Sequence, residues 1–100
     1  MIVYIVGPMT GYEEFNRPAF HNAAAELVSK GFTVLNPAVL PDGLTDAQYM
    51  QIDTSMLFVA DAIYLLNGWQ ESQGAQAEYS LAVKLEKRIL FEPFLYGKPE

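Results

Sequence analysis

Two carboxylates in this chain sit where helical periodicity places apolar side chains. Glu78 shares a stripe with Leu81, Ala82 and Leu85, three, four and seven residues further on. Asp53 lies among Met50, Met56 and Leu57 on an otherwise apolar side of an earlier helix. An unpaired carboxylate in apolar surroundings is costly, so such a residue is either hydrogen-bonded for structure or retained for function. Glu78 also falls in the first turns of its helix, where the dipole favours the ionised form, so a merely stabilising acid fits the pattern as well as a reactive one. If the two converge, the chemistry open to them is nucleophilic attack by one and assistance from the other.

The remaining titratable groups have simpler readings. Asp61 precedes a strand and reads as a cap or turn residue, while Asp42 and Asp46 fall in a loop and a first helical turn. His21 is the single histidine and cysteine is absent, so no thiolate or multi-histidine metal site is expected, and no cofactor. A formal charge of −6 and a pI near 4.6 argue against binding a nucleic-acid polymer, since affinity there comes mainly from Lys and Arg on phosphates. A small-molecule ligand remains open. No apolar run reaches the roughly 20 residues of a membrane span and no signal-peptide pattern follows Met1, so a cytoplasmic location is the expectation.

One hundred residues make one domain, 1–100, with one core. "IVYIV" at 2–6 is the continuous β-branched run of a strand buried on both faces. A helix opens near Asn16, a plausible cap, and closes at Gly31; strands are expected at 32–36, 62–66 and 88–92. Thr45 and Gln48 form a capping-box pattern that opens a helix over 46–60, and a last helix covers about 74–87. This alternation predicts an α/β fold: a small three-layer parallel sheet, flavodoxin- or Rossmann-like, of strand order 2-1-3-4. Right-handed crossovers put the second and third helices on one face and the first alone on the other. A partner subunit covering that thin face is therefore expected, giving a homodimer or larger homo-oligomer.

Ligands of such sheets bind at the carboxyl ends of the strands flanking the reversal of order. Those ends are "GPMTG" and "NGWQESQG". The expected substrate-binding residues are Gly7, Pro8, Met9, Thr10, Gly11, Asn67, Gly68, Trp69, Ser72 and Gly74 of these loops, together with Tyr4 of the first strand. "GPMTG" has neither the Lys-Ser/Thr ending of a P-loop nor GxGxxG spacing, but it lets a ligand approach backbone N–H groups. Trp69, Tyr12 and Phe15 offer faces to a nucleobase, or Trp69 simply packs over the sheet edge. Arg17 is expected to pair with Glu13 or Glu14, or to meet a phosphate.

"YIVGPMTG", the aspartate of the middle helix and "SQGAQAE" together resemble the nucleoside 2-deoxyribosyltransferase family and its relatives, the 2′-deoxynucleoside 5′-phosphate N-hydrolases. The pattern is most similar to the DUF4406 branch found in phages and bacteria, through "YIVGPMTG", "NRPAF", "VLNPA", "YMQID", "ADAIYLLNGW" and "SQGAQAE" in that order. The resemblance implies that Glu78 is the nucleophile, that Asp53 assists it, and that Ser72 matches a serine binding a 5′-phosphate. The arginine that the N-hydrolases carry in the first loop corresponds to Thr10, and Gly-Pro there looks more like the transferases. The implied activity is cleavage of the N-glycosidic bond of 2′-deoxynucleosides or their 5′-monophosphates, by hydrolysis or by deoxyribosyl transfer, with a nucleoside or nucleotide as the bound small molecule. A noncatalytic nucleotide-binding or regulatory module on the same fold is the alternative.

Overall fold

The computed structural model describes residues 1–93 of the chain. The apolar run at the start forms β1 (Ile2–Val6), and β2 (Thr33–Leu35), β3 (Ala62–Leu65) and β4 (Arg88–Phe91) complete a four-stranded sheet of order β2-β1-β3-β4. Every pairing is parallel, with Tyr4 beside both Leu35 and Ile63. The expected fold class and strand order are those observed.

Alternation along the strands sorts the core into two halves. Val3 and Ile5 of β1 face α1 (Arg17–Ser29), where Phe20, Ala23 and Leu27 cover them. Tyr4 and Val6 point the other way, against Leu57 of α2 (Asp46–Val59) and Ala75 and Ala82 of α3 (Gln73–Lys84). Burying one side chain such as Leu57 contributes about 1.5–3 kcal/mol. On the α1 face Val3, Ile5, Ala62, Tyr64 and Leu66 are each at most 1% exposed. One helix and the 3-10 turn Pro37–Val39 thus bury the middle of that face without a second subunit. The apolar residues left exposed on α2 are instead Met50, Ile52, Phe58 and Val59.

Local signals account for most of the boundaries. The capping box opens α2 as expected: Thr45 Oγ1 accepts the Gln48 N–H at 3.1 Å and Gln48 Oε1 accepts the Thr45 N–H at 2.9 Å. Two boundaries differ. Asn16 does not cap α1 with its side chain; it takes φ 62° and sends its Nδ2 to donate to the Pro8 carbonyl at 2.8 Å, tying the helix start to the first loop. α3 stops at Lys84, short of the expected 87, because Glu86 turns left-handed at φ 60° and the Lys87 N–H reaches back to the Ala82 carbonyl.

Each of the first three strands runs at its carboxyl end toward a one-turn 3-10 helix, Glu13–Asn16, Pro37–Val39 and Trp69–Glu71. Sequence patterning treats these stretches as loops. They lie at the end of the sheet where the helix N-termini of α2 and α3 also meet, because helices in parallel crossovers run opposite to the strands.

Candidate active site

A cavity of about 1020 Å³ opens at that end, lined by the first loop, the loop after β2, the outer turns of α2 and the start of α3. Glu78 reaches it because α3 packs through small residues. Ala75 and Ala82, 2% and 0% exposed, lie a turn before and after it on the same stripe and bring the helix close to β1 and β3. From below, the Tyr4 hydroxyl, fully buried between the layers, donates to Glu78 Oε2 at 2.6 Å. Asp53 arrives from α2, one turn above buried Leu57, and its Oδ1 is buried with no hydrogen-bond partner. Among the described residues it is the one such side-chain atom.

The electrostatics follow from burial and proximity. Desolvation pushes the Glu78 carboxyl up to about 7; the Tyr4 hydrogen bond pulls it down and the Asp53 charge pushes it up. Desolvation alone raises Asp53 to about 6. Tyr4 is held well above its ordinary value by burial first, then by the charges of Glu78 and Asp53, so its hydroxyl stays a donor. Near neutral pH both acids thus titrate in overlapping ranges, with one proton on the pair over part of the range. Such a pair can supply a nucleophile and a proton donor at once.

The structure brings Gly7, Pro8, Met9, Thr10, Ser72 and Gly74 to the cavity wall together with both carboxylates. Gly7 is required by close packing: a Cβ there would stand 2.9 Å from Leu66 Cβ. Ser72 caps α3, accepting the Ala75 N–H at 3.2 Å. Tyr4 lies behind Glu78 and positions it instead of lining the cavity.

Besides Tyr4, four expected contacts do not line it. Gly11 forms a turn at φ +87° with open space around it. The Asn67 N–H donates to Glu92 Oε1 at 2.9 Å on the far side of the loop. Gly68 adopts φ +89° beneath the Tyr12 hydroxyl, where a Cβ would lie 2.9 Å from that oxygen. Trp69 packs on Tyr79, ring centroids 4.7 Å apart, so of its two readings the packing one holds. Tyr12 and Phe15 do line the cavity. Arg17 meets neither Glu13 nor Glu14; its Nη2 pairs with Asp42 Oδ1 at 2.5 Å and its guanidinium lies 5.3 Å from the Phe15 ring centre.

Patterning missed the wall contributed after β2: Pro37, Leu40, Asp42, Gly43, Leu44 and, on α2, Asp46, Tyr49 and Met50. Tyr49 fixes this loop, its hydroxyl donating to the Pro41 carbonyl at 2.7 Å. The available signal was topological, since β2 also ends at the crevice. Glu14, Phe15 and Asn16 have consecutive φ values of 54°, 53° and 62°, a left-handed run that is strained for these residue types and borders the cavity. Among the described residues no cluster of three or more His, Cys, Asp and Glu side chains is arranged to hold a metal ion, and no helix is long and apolar enough to cross a membrane.

Comparison with known proteins adds the following. The model of a family described as a domain of unknown function, DUF4406, matches residues 1–91. No curated protein matches the chain in sequence. Among solved structures, a 2-deoxyribosyltransferase from Leishmania mexicana superposes with a TM-score of 0.73 at 20% identity, over 90% of this chain and 62% of that one. This chain therefore shares that protein's fold while spanning less than two thirds of its length.

Proposed function

The chain belongs to the DUF4406 family, and from that premise, the deoxyribosyltransferase-like fold and the paired acids we propose that it cleaves the N-glycosidic bond of 2′-deoxynucleosides or their 5′-monophosphates. The observation that carries the reading is the convergence of Glu78 and Asp53 on one cavity at the switch point of the sheet. Tyr4 holds Glu78 Oε2, which leaves Oε1 to attack C1′ of the sugar. The C1′–N bond breaks, its electron pair departs with the base, and the Asp53 carboxyl, in the singly protonated state of the pair where it and not Glu78 holds the proton, supplies the proton that the base needs. The result is a glycosyl ester on Glu78, as in retaining glycosidases. Water then attacks C1′, giving its proton to the Asp53 carboxylate and releasing Glu78; an acceptor base in place of water completes a transfer.

Two partly buried acids close enough for the Asp53 charge to raise Glu78 are a poor design for a module that only binds. They are useful to a site that alternates between them. The proposal includes a homo-oligomer, for which the exposed apolar side chains on α2 are the support. Incubation with a panel of 2′-deoxynucleosides and their monophosphates should release free base on chromatography, and Glu78→Ala should abolish it. Release that persists in that variant overturns the assignment.

A further inference from the structure

The cavity is lined by five carboxylates, Asp42, Asp46, Asp53, Glu71 and Glu78, and one cation, Arg17. That cation is already engaged, paired with Asp42 and stacked on Phe15. The other described cations stand at the opposite end of the sheet: Lys30 at the end of α1, Lys84 in the last turn of α3, Lys87 on the Phe58 carbonyl, and Arg88 at the start of β4. The described cations other than Arg17 are thus gathered away from the cavity, whose own lining is net acidic.

A phosphate monoester carries about −1.5 to −2 charges at pH 7 and is normally met by arginine forks or unengaged backbone N–H groups. Here the arginine faces a carboxylate, Thr10 adds no charge to the first loop, and the Ala75 N–H at the start of α3 already donates to Ser72. We propose, resting on the glycosidic reading above, that this site takes unphosphorylated 2′-deoxynucleosides and disfavours their 5′-monophosphates, with Asp42 the specificity residue that withholds Arg17 from a phosphate. The Asp42 side chain is 74% exposed and that of Arg17 28%, so this one pair accounts for at most about a fivefold effect. The larger share comes from the acidic lining as a whole, and exposed charge is screened by salt.

The test is calorimetric titration of Glu78→Gln with a 2′-deoxynucleoside and with its 5′-monophosphate, beside base release by the wild-type protein from both. Since Glu78→Gln removes one negative charge, it biases the test against the proposal. The expected result is that the monophosphate binds at least tenfold more weakly at low salt and that the gap narrows as salt is added. Adding Asp42→Asn should narrow it about three- to fivefold, and adding Arg17→Ala as well should undo that gain. Equal or tighter monophosphate binding, or a gap unchanged by Asp42→Asn, overturns the proposal. Nucleoside binding with no base release from wild type refutes the glycosidic reading alone and leaves the binding ratio to decide this one; binding of neither ligand removes both.

Discussion

Asp61 and Asp53 stand at opposite ends of the same sheet and are treated in opposite ways. At the amino end Asp61 is a junction: its carboxylate accepts the Ile2 N–H at 2.8 Å, its N–H donates to the Ile2 carbonyl, and its own carbonyl accepts the Arg88 N–H. It ties β1, β3 and β4 together where their pairing begins. At the carboxyl end Asp53 has a buried oxygen with no partner, and Glu78 beside it has one hydrogen bond from Tyr4. A carboxylate kept for structure spends its bonds on the strands it joins with water free to reach the rest, whereas one kept for reaction holds a buried oxygen to be satisfied by a substrate.

The largest effect that sharpens this contrast lies in the acid pair. Asp53→Asn should lower kcat/KM for base release at least 100-fold, the usual contribution of a positioned acid or base. The wild-type profile should be a bell with limbs near 6 and 7, where the pair titrates. In Asp53→Asn one limb should vanish. The surviving limb, rising with pH as Glu78 ionises, should move slightly below 7: desolvation, the main cause of the rise, remains, and only the smaller push from the Asp53 charge is gone.

A smaller effect appears in stability. Both carboxyls are raised by burial, so the stability they contribute is present below their unfolded values and lost as pH climbs through the folded values of about 6 and 7. Glu78→Gln should therefore match wild type in urea unfolding near pH 4 and exceed it by on the order of 1–3 kcal/mol near pH 8. An equal gap at both pH values would mean that Glu78 is not ionised against its surroundings. The smallest effect belongs to the other end: Asp61→Ala should cost about 1 kcal/mol of stability, one net hydrogen bond, and leave base release as in wild type. A loss of activity there would erase the distinction between the two ends.

What patterning could reach depended on how local the cause was. Strand order, the division of helices between faces and the α2 cap rest on short-range signals, such as the β-branched run at 2–6 and Thr45 with Gln48. The two acids stood out because each interrupts an apolar stripe, a property of its own helix. The rest of the cavity wall arises from segments far apart in sequence. Arg17 passes over its neighbours Glu13 and Glu14 for Asp42, 25 residues away, because the run of left-handed residues at 14–16 turns the start of α1 toward the loop after β2. Trp69 was open to stacking on a base until α3 placed Tyr79 against it.

The central claim, that Glu78 attacks the sugar, is tested most directly by trapping the intermediate. Wild-type protein mixed with a 2′-deoxynucleoside, quenched in acid within a turnover and analysed by intact-mass and peptide mass spectrometry, should gain the mass of one deoxyribosyl group. The added group should lie on the peptide that contains Glu78, and it should be absent from Glu78→Gln. Base release without any covalent adduct, or an adduct carried by another residue, contradicts the account.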